Sequence, residues 1–394
     1  MQYNFDQEID RSATDAEKIE GMKCNWGRTD LLPLWIADMD FPTPHFVREA
    51  IISRMEHPIL GYTAKMGCYY NSIINWVKGR YGMVVEHNQI EFVPGVMPGI
   101  GVALTTFTEP GDKVMIMPPV YYPFSRIIRF NKRQLVECPL KFENGKYRMD
   151  IDKFQRLKDG VKAFILCNPH NPGGVIWTKE ELTAIADICA ENNIIVFSDE
   201  IHADLALPPH KHTPFAMISE KARQNSITFM SPSKAFNMPG ISASHAIIFN
   251  PTLLQKFKEK VEAMFIGAGH VFAFRAVEAA YTHGTEWLDQ CLDYVNKNID
   301  YVDSFLQNNI PEIKVIRPMA SYLIWLNCKD LGWSHEKVEE LFVDKAHLAL
   351  NSGVMFGEKD GCCCMRLNVG TPRSVLVKAM QQLKNAYDEM TENK

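Results

Sequence analysis

At 394 residues the chain is longer than one ordinary core supports, so two packed regions are expected. Apolar residues make up 46% and charged residues 23%, the balance of a globular protein rather than a disordered or fibrous one. With 42 Lys and Arg against 47 Asp and Glu, the net charge of −5 argues against a nucleic-acid-binding surface, and no run approaches the roughly 18 apolar residues that cross a bilayer.

Taken from the start, "MQYNFDQEIDRSATDAEK" carries neither an apolar signal core nor an Arg-rich transit pattern. The ten cysteines form no C-x2-C pair, so a zinc site is not expected, and free thiols fit a reducing cytoplasm. "TPHFVREAIISRMEH" (43–57) reads as a helix with Thr43 as N-cap and Pro44 at the first helical position. "FVPGVMPGIG" (92–101) offers the backbone N–H groups of Gly95, Val96 and Met97 at a helix start. Apolar strand runs follow at 113–117, 134–138 and 162–168, then the amphipathic helix "TKEELTAIADICAENN" (178–193), opened by the capping box Thr178 and Glu181. Further strands read at 193–200, 226–231 and 244–249. Apolar runs with helices between them imply a mostly parallel sheet covered on both faces. From about residue 286, helical runs surround the apolar "SYLIWLNC" (321–328) and end in the helix 371–390, led by Thr371 and Pro372. The expected division is a large domain over 48–285 and a smaller α+β domain over 286–394, to which the segment 1–47 also contributes.

Open α/β sheets bind ligands beyond the carboxyl ends of their strands. "CNPHNPGG" (167–174), "SDEIH" (198–202) and Ser231 to Lys234 each follow a strand and should emerge on one edge. Alone, each has a plain explanation: lysines are mostly solvated, an aspartate is often an ion-pair partner, and "NPGG" is often a turn. Together, Asn171, Asp199, Lys234, the hydroxyls of Ser231 and Ser233 and the amides at Val96 and Met97 match pyridoxal 5′-phosphate better than another common cofactor. A lysine in a low-dielectric pocket more easily yields a neutral nucleophilic amine. The "HKH" at 210–212 sits on a Pro-rich loop without a third metal ligand, Tyr122 reads equally as packing, and "CCC" at 362–364 reads as packing beneath Arg366.

These segments resemble a known family. "NPHNPGG", "SDEIH", "SPSKAFNMPG" and "MRLNVGTPR" are similar to fold-type I pyridoxal-phosphate enzymes of the class I/II aminotransferase family. "LPLWIADMDFPTP", "LGYT", "PPVYYPF" and "SDEIHADL" resemble its MalY/PatB branch of cystathionine β-lyases, or C–S lyases. The resemblance implies a mostly parallel seven-stranded sheet flanked by helices. It also implies roles: Lys234 as covalent anchor and proton shuttle, Asp199 on the pyridine nitrogen, Asn171 on the phenolic oxygen, and Tyr121 on the ring face. His202 would face the ring or support the acid. The phosphate would rest on Val96, Met97, Ser231 and Ser233, with Tyr62 reaching it from the second subunit of a homodimer. Arg366 would clamp the substrate carboxylate. The implied reaction is β-elimination from cystathionine or other S-substituted cysteines to pyruvate, ammonia and a thiol, with transamination of aromatic or sulfur amino acids as the alternative. One departure stands out. Many family members carry arginine eight residues after the lysine, and this chain has Ser242 there.

Overall fold

The structure is a computed structural model that describes residues 1–392. Its larger layer is a seven-stranded sheet. In chain order the strands are β1 (Ile90–Val93), β2 (Lys113–Ile116), β3 (Gln134–Glu137), β4 (Val161–Cys167), β5 (Ile195–Asp199), β6 (Ser226–Met230) and β7 (Ser244–Ile247). Their spatial order is β1-β7-β6-β5-β4-β2-β3, and β7 alone runs against the rest. Six of the seven lie within or beside the expected apolar runs. β1 was not anticipated, because "IEFV" is short and carries Glu91.

Alternation along β4 explains why its sequence is apolar throughout. Ala163, Ile165 and Cys167 pack with Val96, Ile100 and Ala103 of the helix Val96–Phe107, while Phe164 and Leu166 meet Leu182 and Ile185 of the helix Lys179–Glu191. The first helix lies so close to β6 that a Cβ on Gly99 would stand 2.7 Å from the ring of Phe229. That close approach sets the helix start beside the carboxyl edge of the sheet.

A second sheet has four antiparallel strands: β8 (Lys314–Ile316), β9 (Leu323–Asn327), β10 (Asn351–Ser352) and β11 (Cys364–Asn368), in the order β8-β9-β11-β10. The helices Thr285–Asn309 and Arg373–Glu392 pack with it in one core. Leu32–Pro33 pairs with Leu348–Ala349, which ties the N-terminal segment to this sheet. We propose a domain division near residue 286, at the start of the long helix.

Two helix starts differ from expectation. The helix His45–Met55 begins after Pro44, and the hydroxyl of Thr43 donates to the carbonyl of Asn237 at 2.6 Å instead of capping. Arg373 opens the last helix, while Thr371 Oγ1 is buried without a partner and its carbonyl accepts from Asn298. At Thr43 a tertiary hydrogen bond takes the hydroxyl that local patterning assigns to the cap, whereas at Thr371 burial turns the hydroxyl away from the helix start. Thr178 does close its capping box, accepting from Glu181 N at 3.2 Å while Glu181 accepts from Thr178 N at 3.0 Å. Thr178→Ala is therefore expected to cost about 1 kcal/mol. Urea unfolding checks this, and an unshifted midpoint would refute the cap's contribution.

Candidate active site

Because β4, β5 and β6 are parallel neighbours, their carboxyl ends deliver three loops to one edge. Asn168 N–H donates to the carbonyl of Asp199 and Glu200 N–H to that of Phe229, both at 2.9 Å, so the loops leave in register. A cavity of about 220 Å³ opens there. Lys234, Asp199, Asn171, Tyr121, His202, Val96, Met97 and Ser233 all line it, as sequence reasoning anticipated.

The two acids of "SDEIH" illustrate how the site differs from its surroundings. Glu200 is fully partnered: it accepts from Ser198 Oγ at 2.8 Å and Phe215 N at 2.9 Å, and contacts His212 Nε2 at 2.7 Å. His212 of the "HKH" loop is thus a structural partner. Asp199 receives one donor among the described residues, the Ile201 N–H at 3.1 Å. Burial raises its carboxyl to about 7, against that hydrogen bond and the nearby Lys234 charge, with Glu200 adding to the rise.

Lys234 follows β6 in a tight turn closed by Phe236 N–H to Pro232 O and Met238 N–H to Ser233 O. Its ammonium donates to the carbonyl of Ala37. Burial, with help from the Arg366 charge, lowers the amine to about 8, while Asp38 and Asp199 pull the other way. His202 is held neutral, lowered to about 3 by burial and then by Lys234 and Arg366, and its Nδ1 is buried without a partner. Burial lifts the Tyr121 hydroxyl to about 12, so it too is uncharged.

Arg366 sits on β11, opposite Trp325 and Asn351. Its guanidinium donates to Asn171 Oδ1 at 3.2 Å, Trp35 O at 2.9 Å and Asn351 Oδ1 at 2.5 Å, and lies 4.9 Å from the centre of the Phe356 ring. Nε is buried without a partner, and no carboxylate pairs with this arginine among the described residues. Since Asn171 offers its oxygen to Arg366, its NH2 remains for the cavity.

Not every expected residue reaches the pocket. Ser231 Oγ donates to Ala243 O at 2.6 Å and accepts from Ser233 N at 3.1 Å, so this hydroxyl staples the lysine turn and does not line the cavity. Tyr62 is fully exposed on its own chain and lies outside it. Ser242 and Ser244 do line it, and Lys234 is the only cation among the lining residues. At one end stands the start of the helix Val96–Phe107, whose preceding Gly95 has φ +157 and whose third residue is Pro98. The amides of Val96 and Met97 are therefore free to hold an anion, while Pro98 has none to offer.

Sequence reasoning missed the role of the segment 35–41, although it singled out the stretch as a motif. It is a strap held by its carbonyls. Trp35 O accepts from Arg366, Ile36 O and Asp38 O from Asn368 Nδ2, Ala37 O from Lys234 and Tyr322, and Met39 O and Phe41 O from Asn237 Nδ2. Beneath it, Arg11 and Lys18 pair with Asp38 and Asp40. Cys167 was missed as well; its sulfur accepts from Asn171 N at 3.3 Å in the cavity wall. No side-chain pattern reveals backbone acceptors, which is why the strap was legible only as a motif.

This donor set fits pyridoxal 5′-phosphate. A depressed amine, a carboxyl lacking a second donor, a free amide NH2 and a neutral anion cradle match the aldehyde, ring nitrogen, phenolic oxygen and phosphate of that molecule in kind. A sequence profile described as "Aminotransferase class I and II" matches residues 29–383. Cystathionine beta-lyase PatB of Bacillus subtilis is 38% identical over 385 residues, 97% of this chain and 99% of that protein. Among solved structures, cystalysin from Treponema denticola, which contains a pyridoxal 5′-phosphate cofactor, is 33% identical with a TM-score of 0.95, covering 99% of this chain and 100% of the other. The PLP-bound C-S lyase from Staphylococcus hominis is 33% identical with a TM-score of 0.91, covering 98% of each chain.

The lone donor on Asp199 has a measurable consequence in the cofactor-free chain. Its carboxyl is raised in the folded state, so the folded form binds the extra proton and stability falls as pH rises from 3.8 through about 7. A shift of that size corresponds to roughly 4 kcal/mol between the charged and neutral forms. Asp199→Asn should raise the melting temperature at pH 8 and leave it nearly unchanged at pH 4. A lower melting temperature at pH 8 would contradict the unpartnered carboxylate.

Proposed function

We infer that this chain, which belongs to the aminotransferase class I and II family, is a pyridoxal 5′-phosphate-dependent carbon–sulfur β-lyase. It acts on L-cystathionine or related S-substituted L-cysteines, releasing pyruvate, ammonia and a thiol, which is homocysteine in the case of cystathionine. The observation that carries the reading is the meeting of Lys234 and Asp199 in one cavity, in a chain similar over nearly its whole length to cystathionine beta-lyase PatB and to a C-S lyase.

When bound, the cofactor supplies an electron sink for the pair left at the substrate Cα after its proton is removed. Lys234 Nζ, lowered to about 8, is partly uncharged at neutral pH, which would suit it both to hold the cofactor covalently and to take up the Cα proton. Asp199 is placed to hold a proton on the ring nitrogen, and such an ion pair would relieve its own burial cost. Asn171 would donate its NH2 to the phenolic oxygen while its own oxygen orients Arg366. Tyr121 offers the ring an apolar face. His202, kept neutral, supports the acid without adding charge. Arg366 receives the α-carboxylate, the anion that its buried guanidinium lacks among the described residues.

The phosphate end rests on the amides of Val96 and Met97 and on Ser233, with Ser242 and Ser244 as further neutral donors. Ser231 acts by holding that turn. The adjoining cleft, of about 780 Å³, carries Arg11, Arg48, Asp38 and Asp40. Charges of both signs suit the zwitterionic far end of cystathionine better than an apolar thioether.

We further propose a homodimer in which Tyr62 completes the partner's phosphate site. Ile52, Met55, Ile59, Leu60 and Met66 are exposed around Tyr62, an apolar stretch that a second copy would cover. A cytoplasmic setting is supported by ten unbridged cysteines. No helix among the described residues is long and apolar enough to cross a membrane.

With cystathionine and no added keto acid, the protein should release pyruvate and a free thiol. Turnover that demands a keto-acid acceptor would make it an aminotransferase instead. Arg366→Ala should lower kcat/KM for S-substituted cysteines by about a hundredfold, corresponding to the roughly 2–3 kcal/mol of a charge-assisted hydrogen-bond pair, mainly through KM. An unchanged ratio removes Arg366 from the carboxylate role. For the shared site, mixing inactive Tyr62→Ala and Lys234→Ala subunits should restore about a quarter of wild-type activity, since about half the dimers are mixed and each holds one complete site. No recovery on mixing refutes a site built from both subunits.

A further inference from the structure

Far along the chain from the lysine turn, the structure brings together residues that their spacing does not connect. Cys362 and Cys363 close the turn before β11, and His335 opens the short helix His335–Glu339. One ligand atom from each of the three lies within 4.8 Å of the others. We propose that His335, Cys362 and Cys363 bind a thiophilic divalent ion of the Zn2+ type at the root of β11.

Geometry carries the assignment. Two thiolates held at 2.3 Å by one tetrahedral ion stand about 3.8 Å apart. The sulfurs of Cys362 and Cys363 are 3.7 Å apart, with no bond between them. Cys363 adopts a left-handed backbone, φ +55, which is uncommon for a residue other than glycine, and its sulfur also meets the carbonyl of Trp333 at 3.6 Å.

The imidazole is already oriented. His335 Nε2 contacts Ser352 Oγ at 2.8 Å and Glu339 Oε1 at 3.4 Å, the kind of outer partners that fix a ligating histidine. Its Nδ1 accepts from Cys363 N–H at 3.0 Å and so faces the thiol-bearing turn. An ion takes that lone pair and displaces the hydrogen bond. Both thiols are half-exposed, which leaves the fourth corner of the tetrahedron to water. Binding expels one proton from each thiol, so affinity rises with pH.

None of the three residues lines the catalytic cavity, yet the site adjoins its arginine. Ser352, which holds His335, lies on β10 beside Asn351, and Asn351 holds Arg366 on β11. An ion at this point fastens the turn that leads into the arginine strand. Cys364 and Cys328 are buried and remain packing residues, as expected for "CCC" in part.

The test uses the full-length, cofactor-loaded protein with Zn2+ as the probe, in equilibrium dialysis. One tightly bound ion per chain is expected. It should be lost in the double variant Cys362→Ser/Cys363→Ser and weakened at least about tenfold in His335→Gln. The double variant Cys24→Ser/Cys68→Ser, which removes the two exposed thiols, should bind as the wild type does. A second measurement needs no variant: Zn2+ should shield Cys362 and Cys363, but not Cys24 and Cys68, from iodoacetamide. Absence of a tight site, or binding that survives loss of Cys362 and Cys363, or alkylation of those two unchanged by Zn2+, overturns the proposal.

Discussion

Lys234 and Asp199 are buried in the wall of a single cavity, Arg366 is buried behind Asn171 of that wall, and among the described residues none of the three forms an ion pair. Removing a charge from water is costly unless a partner of opposite sign takes the place of the solvent. Lys234 meets a carbonyl, Arg366 meets carbonyl and amide oxygens, and Asp199 meets one N–H. Such a constellation is poised for ligands that bring what is missing: an aldehyde for the amine, a carboxylate for the arginine and a protonated nitrogen for the acid. Most of the architecture around the cavity serves to hold these groups in place before the ligands arrive.

Three structural elements share that task. The parallel order of β4, β5 and β6 sets Asn171, Asp199 and Lys234 on one edge. Close packing of the Val96–Phe107 helix on β6, which requires Gly99, brings two free amides to the same cavity. The strap 35–41 then joins the two sheets. Its carbonyls accept from Lys234 beside the larger sheet and from Arg366 and Asn368 on the smaller one, so amine and arginine are positioned through the same backbone. The packing of the two layers thus bears directly on the distance between Lys234 and Arg366.

Much of this was legible in the sequence, for definite reasons. Strands buried on both faces read as apolar runs, so six of the seven were found and β1, with its Glu91, was not. The polar residues at their ends identified the pocket because such edges collect ligands. What escaped was whatever depends on tertiary partners. Ser231 carries a hydroxyl at the expected place, yet it is spent on Ala243 O. Thr43 and Thr371 looked like caps, yet Thr43 donates to the distant carbonyl of Asn237 and the carbonyl of Thr371 accepts from the side chain of Asn298. His335 and the two half-exposed cysteines meet only through the fold. The position of Ser242 was the sharpest sequence-level doubt. It lies in the cavity wall with Ser244 beside it, so this part of the lining offers neutral hydroxyls.

The account stands on Lys234 as the amine that holds the cofactor. Borohydride reduction of the protein loaded with pyridoxal 5′-phosphate, followed by digestion and peptide mass spectrometry, tests this directly. The reduced cofactor is predicted to be found on the peptide containing Lys234 and on no other lysine. An adduct confined to a different lysine, or none at all from a loaded sample, would contradict the account.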